Sequence, residues 1–265
     1  MSINEFLCNL GNDWLKNKKQ RMANLMKIAH PDEALYREIM LSFGYSKNKL
    51  QFQSLALILP YRELQQFDSK ETIEKALLFR SGLSDEKGDI PESFDFSLRM
   101  EKKIWVHKGV RPQNYPEVRM REISELVWQT KGYGIAHFFE KRIIENFSGE
   151  INKKSSTRIV SKIIDFDGPG YERKLEIFFN ILLPFYSVYF QDKPEIEEFL
   201  ENIFKNHPPL KANSKTKKAL KLLSKNKNFH FQEVKSAQDY FGLIHLSNQA
   251  TDDAGIETLI NESYF

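Results

Sequence analysis

Hydrophobic residues recur along this chain at the spacing of amphipathic helices. Between Ser2 and about Ile28, for example, Phe6, Leu10 and Trp14 fall on one helical face. Alternation of polar and apolar residues is weak throughout, and no segment carries the turn signal of a β-hairpin. The pattern predicts an all-α fold, an irregular multi-helix bundle of about ten helices.

Prolines and glycines mark several helix ends. Pro31, followed by two acids, is typical of a first helical residue, and Gly44 is a natural stop for that helix. Ser46 is a candidate cap for the next helix, which runs to Pro60. These signals predict two apolar helices that meet at the turn after Gly44.

Further along the chain the same reasoning predicts a capping box over Asp68–Glu71, a helix that ends near Trp105 and a helix that begins at Pro116. The apolar run from Leu175 to Phe190 contains Pro184. This interruption predicts a kinked core helix rather than a membrane span.

The segment 153–157, Lys-Lys-Ser-Ser-Thr, has the composition of a linker. It predicts an N-terminal helical lobe over residues 1–152 and a C-terminal helical lobe over residues 153–265. The two lobes either stay separate or pack as one domain.

Composition narrows the class of protein. The chain has 265 residues, enough for a substantial core, and its single cysteine, Cys8, excludes an internal disulfide. No uninterrupted apolar run approaches the roughly 18–20 residues that span a bilayer, and the N-terminus lacks the layout of a signal peptide. We therefore expect a cytoplasmic protein that does not enter a membrane.

Positive charge is concentrated in places, although the net charge is only +3. Lysines spaced along a helix can neutralise phosphates and release counterions, so DNA or RNA is a candidate partner. The alternative is an ordinary solvated face. The candidate contact residues are Lys211, Lys215, Lys217, Lys218, Lys221, Lys225, Arg111, Arg119 and Arg121.

Recognisable catalytic motifs are missing from the sequence, and the histidines show no ligand spacing, so we predict no metal site, no cofactor and no catalytic residue. One acidic cluster, Asp165 and Asp167 followed by Glu172 and Lys174, imitates a metal-dependent nuclease. That chemistry needs the Glu and the Lys on a strand, whereas here they fall in the first turn of a predicted helix.

Two turn-rich segments have the most distinctive residue patterns of the chain. Asn48 and Arg111 could either bind a phosphate or tie neighbouring loops together across the core. The distinctive residues are Gly44, Tyr45, Asn48, Arg111, Pro112, Asn114 and Pro116.

With the blocks at 76–83, 180–185 and 238–246, these segments resemble, in order, a bacterial family known as domain of unknown function 2851. The resemblance is to the C-terminal part of that family. Longer members carry a β-rich N-terminal region that this sequence does not match, so the resemblance implies either that this chain is a detached half or that a partner supplies that region. The family has no established activity to transfer.

Three hypotheses follow. The first is a non-enzymatic binding or scaffold module that contacts nucleic acid through basic faces and works with a partner domain or subunit. The alternative is a protein–protein interaction subunit without nucleic acid. The third is a metal-dependent nuclease centred on Asp165.

Overall fold

The computed structural model describes residues 3–45, 47–148, 150–224 and 234–249. All regular secondary structure in these ranges is helical, so the all-α prediction is confirmed. The candidate cap Ser46 and the lysine Lys225 lie outside the described residues.

The helices alternate with short connections over most of the described chain. In order they are α1 (Ile3–Met26), α2 (Pro31–Phe43), α3 (Lys49–Ile58), α4 (Tyr61–Leu64), α5 (Lys70–Arg80), α6 (Pro116–Gln129), α7 (Ile135–Glu145), α8 (Lys153–Ile163), α9 (Tyr171–Ile177), α10 (Leu183–Tyr189), α11 (Pro194–Asn206), α12 (Ser214–Leu223) and α13 (Ala237–Gln249). Short 3₁₀-helices cover Lys102–Ile104 and Pro112–Asn114, and a π-helix covers Phe178–Leu182.

Contacts group the described residues into two compact units. Unit 1 takes its residues from segments 1–24, 146–163 and 178–265, and unit 2 from segments 25–145 and 164–177. The lobe division at residue 152 stays a prediction.

Local signals placed the ends of α2 correctly. Pro31 is its first residue and Gly44 follows its last. A Cβ on Gly44 would lie 2.4 Å from the carbonyl oxygen of Asn48, so the chain can turn this tightly only with glycine.

The capping box at the start of α5 was predicted one residue too early. The capping residue is Ser69, whose hydroxyl accepts from the backbone N–H of Thr72 at 3.0 Å. Asp68 instead points into solvent, where it pairs with Lys131. A short hydroxyl in extended backbone outcompetes the neighbouring acid for this position.

The prediction of a helix that ends near Trp105 is wrong, except that Lys102–Ile104 form one 3₁₀ turn. Residues 81–101 are irregular, because the buried guanidinium of Arg80 satisfies carbonyl groups that a helix would otherwise pair. Its Nη1 donates to the carbonyl oxygens of Asp95 and Leu98, each at 2.7 Å. The buried Arg80 side chain thus stabilises this loop through hydrogen bonds to its backbone.

The linker predicted over residues 153–157 is wrong, because these residues form the first turns of α8. The side chain of Asn152 accepts from the backbone N–H groups of Lys154 and Ser155, and the hydroxyl of Ser155 accepts from the backbone N–H of Asn152. This reciprocal cap starts a helix that buries Ile159 and Ile163.

The irregularity expected at Pro184 is a π-helix over Phe178–Leu182, just before the proline. A widened turn is a common way to accommodate an interruption in a helix. Among the described residues, no helix is both long and apolar enough to cross a bilayer.

Candidate functional site

Helix α12 carries the lysine-rich candidate site in unit 1. Its apolar residues Ala219, Leu222 and Leu223 recur on one face and are buried with Phe6 and Leu246. The remaining faces therefore point outward. The exposed lysines on them are Lys215, Lys217, Lys218 and Lys221, and Lys211 is exposed just before the helix.

A capping box fixes the first turn of α12. The side chain of Asn213 accepts from the backbone N–H groups of Lys215 and Thr216, and the Thr216 hydroxyl accepts from the backbone N–H of Asn213. The amide of Asn213 also donates to the hydroxyl of Tyr240 at 3.0 Å. No acid lies in the first turn, so the positive end of the helix dipole and the lysines add to one another.

Most lysines of this face lack a compensating charge. The Nζ of Lys215 donates to the side-chain oxygen of Asn248, which is neutral. The side chains of Lys211, Lys217 and Lys221 form no ion pair with any described residue. The sixth lysine of the predicted site, Lys225, lies outside the described residues.

In unit 2, Asn48 ties the turn after α2 to a distant loop. Its side chain is buried, donates to the carbonyl oxygen of Val106 at 2.9 Å and accepts from the Val106 N–H at 2.8 Å. Gln51 adds a bond to the carbonyl oxygen of Ile104 at 2.8 Å. Of the two roles weighed for Asn48, the structure therefore shows the tie between loops.

The three arginines proposed as nucleic-acid contacts occupy different environments. Arg111 is exposed, and its side chain bonds to no described residue. Arg121 is also exposed and pairs with Glu74 at 3.2 Å. Arg119 is buried, which separates it from the exposed cations.

Arg119 instead joins the two distinctive segments in the interior of unit 2. Its guanidinium donates to Glu122 and to the side-chain oxygen of Asn114, and it lies 5.3 Å from the ring of Tyr45. Tyr45 is the single non-glycine residue with positive φ among the described residues, at 47°. Pro112 begins the 3₁₀-helix that contains Asn114, and Pro116 is the first residue of α6, which carries Arg119.

A second buried arginine, Arg173, completes this cluster and was not predicted as a site residue. Its guanidinium stacks 3.3 Å from the centre of the Tyr45 ring and pairs with Glu176 at 2.6 Å. Burial lowers the pKa of Arg173, an effect that nearby Arg119 increases and Glu176 opposes. The only sequence signal for it is an arginine three residues before a glutamate in a short, charged helix.

Burial also raises the pKa of Glu122, although both arginines act in the opposite direction. The cluster formed by Tyr45, Arg119, Glu122 and Arg173 is thus a polar network in which both guanidinium groups are buried, Glu122 is partly buried and the Tyr45 ring is partly exposed. Its chemistry is that of a structural brace between the turn after α2 and the helices α6 and α9.

The acidic cluster near Asp165 does not have the geometry of a nuclease. Glu172 and Lys174 lie in α9, as the helical interpretation predicted, and Asp167 accepts from the side chain of Gln129. Within the described ranges, no group of three or more His, Cys, Asp or Glu residues could hold a metal ion.

A family model described as a protein of unknown function, DUF2851, matches residues 1–161. This range contains the distinctive segments around Gly44 and Arg111, whereas the blocks at 180–185 and 238–246 lie beyond it. No curated protein and no solved structure shows significant similarity to the chain. Because the match covers more than half of the 265 residues, the chain belongs to the DUF2851 family of proteins of unknown function.

Proposed function

We propose that this protein is a non-enzymatic helical module that binds nucleic acid through exposed basic faces and works with a protein partner. The observation that carries the proposal is the lysine face of α12, where Lys211, Lys217 and Lys221 are exposed and form no ion pair with a described residue. Lys211 and Lys217 lie near the positive, capped end of the helix, and Lys221 lies in its last turn. Phosphates are attracted to both charges, and their counterions are released on binding.

Lysines on a helix surface contact phosphates without reading bases. Binding is therefore expected to depend strongly on salt and weakly on sequence. If three lysines of the face contact phosphates of duplex DNA, the logarithm of the affinity should fall with the logarithm of salt concentration with a slope of roughly −3.

Unit 2 contributes a second basic face. Lys102, Lys108 and Arg111 are exposed on the loop that Asn48 and Gln51 hold in place, and none of them pairs with a described acid. This face supports the same function independently, because it belongs to a different unit. The variant Lys108→Glu/Arg111→Glu measures its contribution.

Fluorescence anisotropy with labelled single- and double-stranded DNA and RNA, between about 50 and 200 mM salt, tests the proposal. The variant Lys217→Glu/Lys221→Glu should lose more than about tenfold in affinity, since each reversal removes an attraction and adds a repulsion. The matched control is Lys153→Glu/Lys154→Glu, which makes the same change in net charge at exposed positions of α8.

No binding of any of these nucleic acids near 50 mM salt would refute the proposal. Equal losses in both variants would show that net charge, rather than the face of α12, attracts nucleic acid.

A further inference from the structure

The four most exposed large apolar side chains among the described residues of unit 2 lie outside its core. Leu50 and Leu57 of α3 are 73% and 57% exposed, Ile28 is 79% exposed and Tyr133 is 59% exposed. Leu50 and Leu57 are seven residues apart and so lie on one face of α3, about 10 Å apart along its axis. Leu57, Ile28 and Tyr133 also line a groove of about 920 Å³. We call these four residues and the groove the α3 face.

The walls of the groove are held in place by the fold. Asp32 accepts from the backbone N–H of Ala136 at 2.8 Å, and Glu33 accepts from the backbone N–H of Tyr61 at 2.9 Å. A Cβ on Gly134 would lie 2.6 Å from the carboxylate of Asp32, so glycine lets the loop that carries Tyr133 approach α2 closely. The groove therefore exists before any partner arrives.

The charges left free at the rim are positive. Asp32 and Glu33 are engaged as described, and Glu33 also pairs with Arg37 at 2.9 Å. Arg62 lines the groove, is exposed and bonds to no described residue through its side chain. Lys27 and Lys49, next to Ile28 and Leu50, are likewise exposed and unpaired among the described residues.

We propose that the α3 face docks an acidic amphipathic helix of a partner protein. Burial of exposed leucine and isoleucine side chains is favourable only when apolar groups cover them. Phosphates are charged and cannot provide such a cover. A helix presents apolar residues at spacings of three, four and seven, which match the separation of Leu50 and Leu57. Acidic residues on its flanks would meet Lys27, Lys49 and Arg62, whereas a basic helix would be repelled.

This inference names the partner surface of the proposed function, and its test measures binding of peptides rather than affinity for nucleic acid, so failure of one leaves the other standing. A phage-displayed library of random peptides of about 16 residues, or four to five helical turns, is selected on the full chain. The enriched peptides are then made synthetically and titrated by fluorescence anisotropy. They should be acidic and carry apolar residues at helical spacing.

Two variants locate the binding site. Leu57→Glu/Tyr133→Glu and Lys49→Glu/Arg62→Glu should each weaken binding of those peptides more than about tenfold, because the first disrupts the apolar floor and the second reverses the rim. All four side chains are exposed, so the core is unaffected. The α12 variant Lys217→Glu/Lys221→Glu should bind the peptides like the wild type. Unchanged near-ultraviolet circular dichroism verifies that each variant is folded.

Several results would overturn the inference. The selection could enrich no peptide, or it could enrich peptides that are basic or lack apolar residues at helical spacing. The enriched peptides could also bind both α3-face variants as tightly as the wild type. Sedimentation equilibrium provides another, because a dimer lost in Leu57→Glu/Tyr133→Glu would mean that a second copy covers the face. Displacement of the peptides by single-stranded RNA would assign the face to nucleic acid instead.

Discussion

Asn48 shows how one side chain joins segments 58 residues apart in the sequence. Because its amide both donates to and accepts from Val106, Asn48→Ala removes two hydrogen bonds and leaves backbone groups without partners. We expect a loss of about 1–3 kcal/mol in the free energy of unfolding, measured with urea. Gln51→Ala, which removes one bond near the surface, is the matched control and should cost less than about 1 kcal/mol. Equal stability of Asn48→Ala and wild type would contradict the tie.

His207 gives the chain a specific dependence on pH. It is 4% exposed, its Nε2 has no hydrogen-bond partner among the described residues, and burial lowers its pKa. The unfolded chain therefore takes up a proton near pH 6.5 that the folded chain resists. Stability should be retained above this pH and should fall as pH drops below it.

Urea unfolding of wild type and His207→Gln between about pH 5 and 8 measures this effect. The variant should lose less stability toward acid than the wild type, whatever its stability at neutral pH. His30→Gln is the control, because it removes an exposed histidine. Parallel slopes for wild type and His207→Gln would rule out His207 as the source.

The residues of the brace were only half predictable. Tyr45 and Arg119 could be singled out, because Tyr45 follows Gly44 in a turn and Arg119 belongs to a basic stretch after Pro116. Their partners could not, since Arg173 meets Tyr45 from more than a hundred residues away. Local chemistry identifies a special residue, but only the packed chain decides whether it faces a ligand or another loop.

At the scale of elements, α12 depends on its cap. Asn213→Ala removes the acceptor for two backbone N–H groups, and we expect it to lower the free energy of unfolding by about 1 kcal/mol. The variant should also weaken nucleic-acid binding, because the first turn that presents Lys215 and Lys217 frays. Asn213→Ser is the control, since a neutral hydroxyl still caps the helix and leaves the charge of the face unchanged. If Asn213→Ala binds nucleic acid like Asn213→Ser, the capped first turn has no part in binding.

Elements were predicted well where their signals are local. Pro31 and Gly44 bound α2 because proline and glycine act on the backbone itself. The prediction of a linker at residues 153–157 was wrong because it considered only their polar composition. It took no account of the helix cap at Asn152 or of the buried residues further along α8. The irregular loop after Arg80 could not be predicted, because no local pattern reveals that the Arg80 guanidinium is buried and donates to carbonyl oxygens of the loop.

For the whole molecule, composition favoured a division of the sequence at residue 152, whereas contacts group segment 164–177 with residues 25–145. Several interactions bind that segment within unit 2. Phe166 packs edge-on against Phe139 at 5.4 Å, Gln129 accepts from the backbone N–H of Asp167 at 2.9 Å, and Arg173 stacks on Tyr45. No local pattern reveals such a return of the chain.

Truncated fragments test whether the chain divides at residue 152 or whether segment 164–177 belongs to unit 2. A fragment of residues 1–152 lacks Phe166 and Arg173, so unit 2 loses buried apolar area and one member of its brace. We expect it to unfold at lower urea concentration and less cooperatively than a fragment of residues 1–177, which contains all of unit 2. With Trp14 and Trp128 replaced by phenylalanine, fluorescence of the buried Trp105, whose indole N–H donates to the carbonyl oxygen of Ser81 at 2.8 Å, monitors this unit.

A fragment of residues 1–163 is the control for length, because it adds α8 without the returning segment. It should behave like the fragment of residues 1–152. If the shorter fragments instead unfold at the same urea concentration and as steeply as residues 1–177, segment 164–177 contributes nothing to the stability of unit 2. The chain would then divide at residue 152, and the brace formed by Arg173 and Tyr45 would be a consequence of folding rather than a cause of stability.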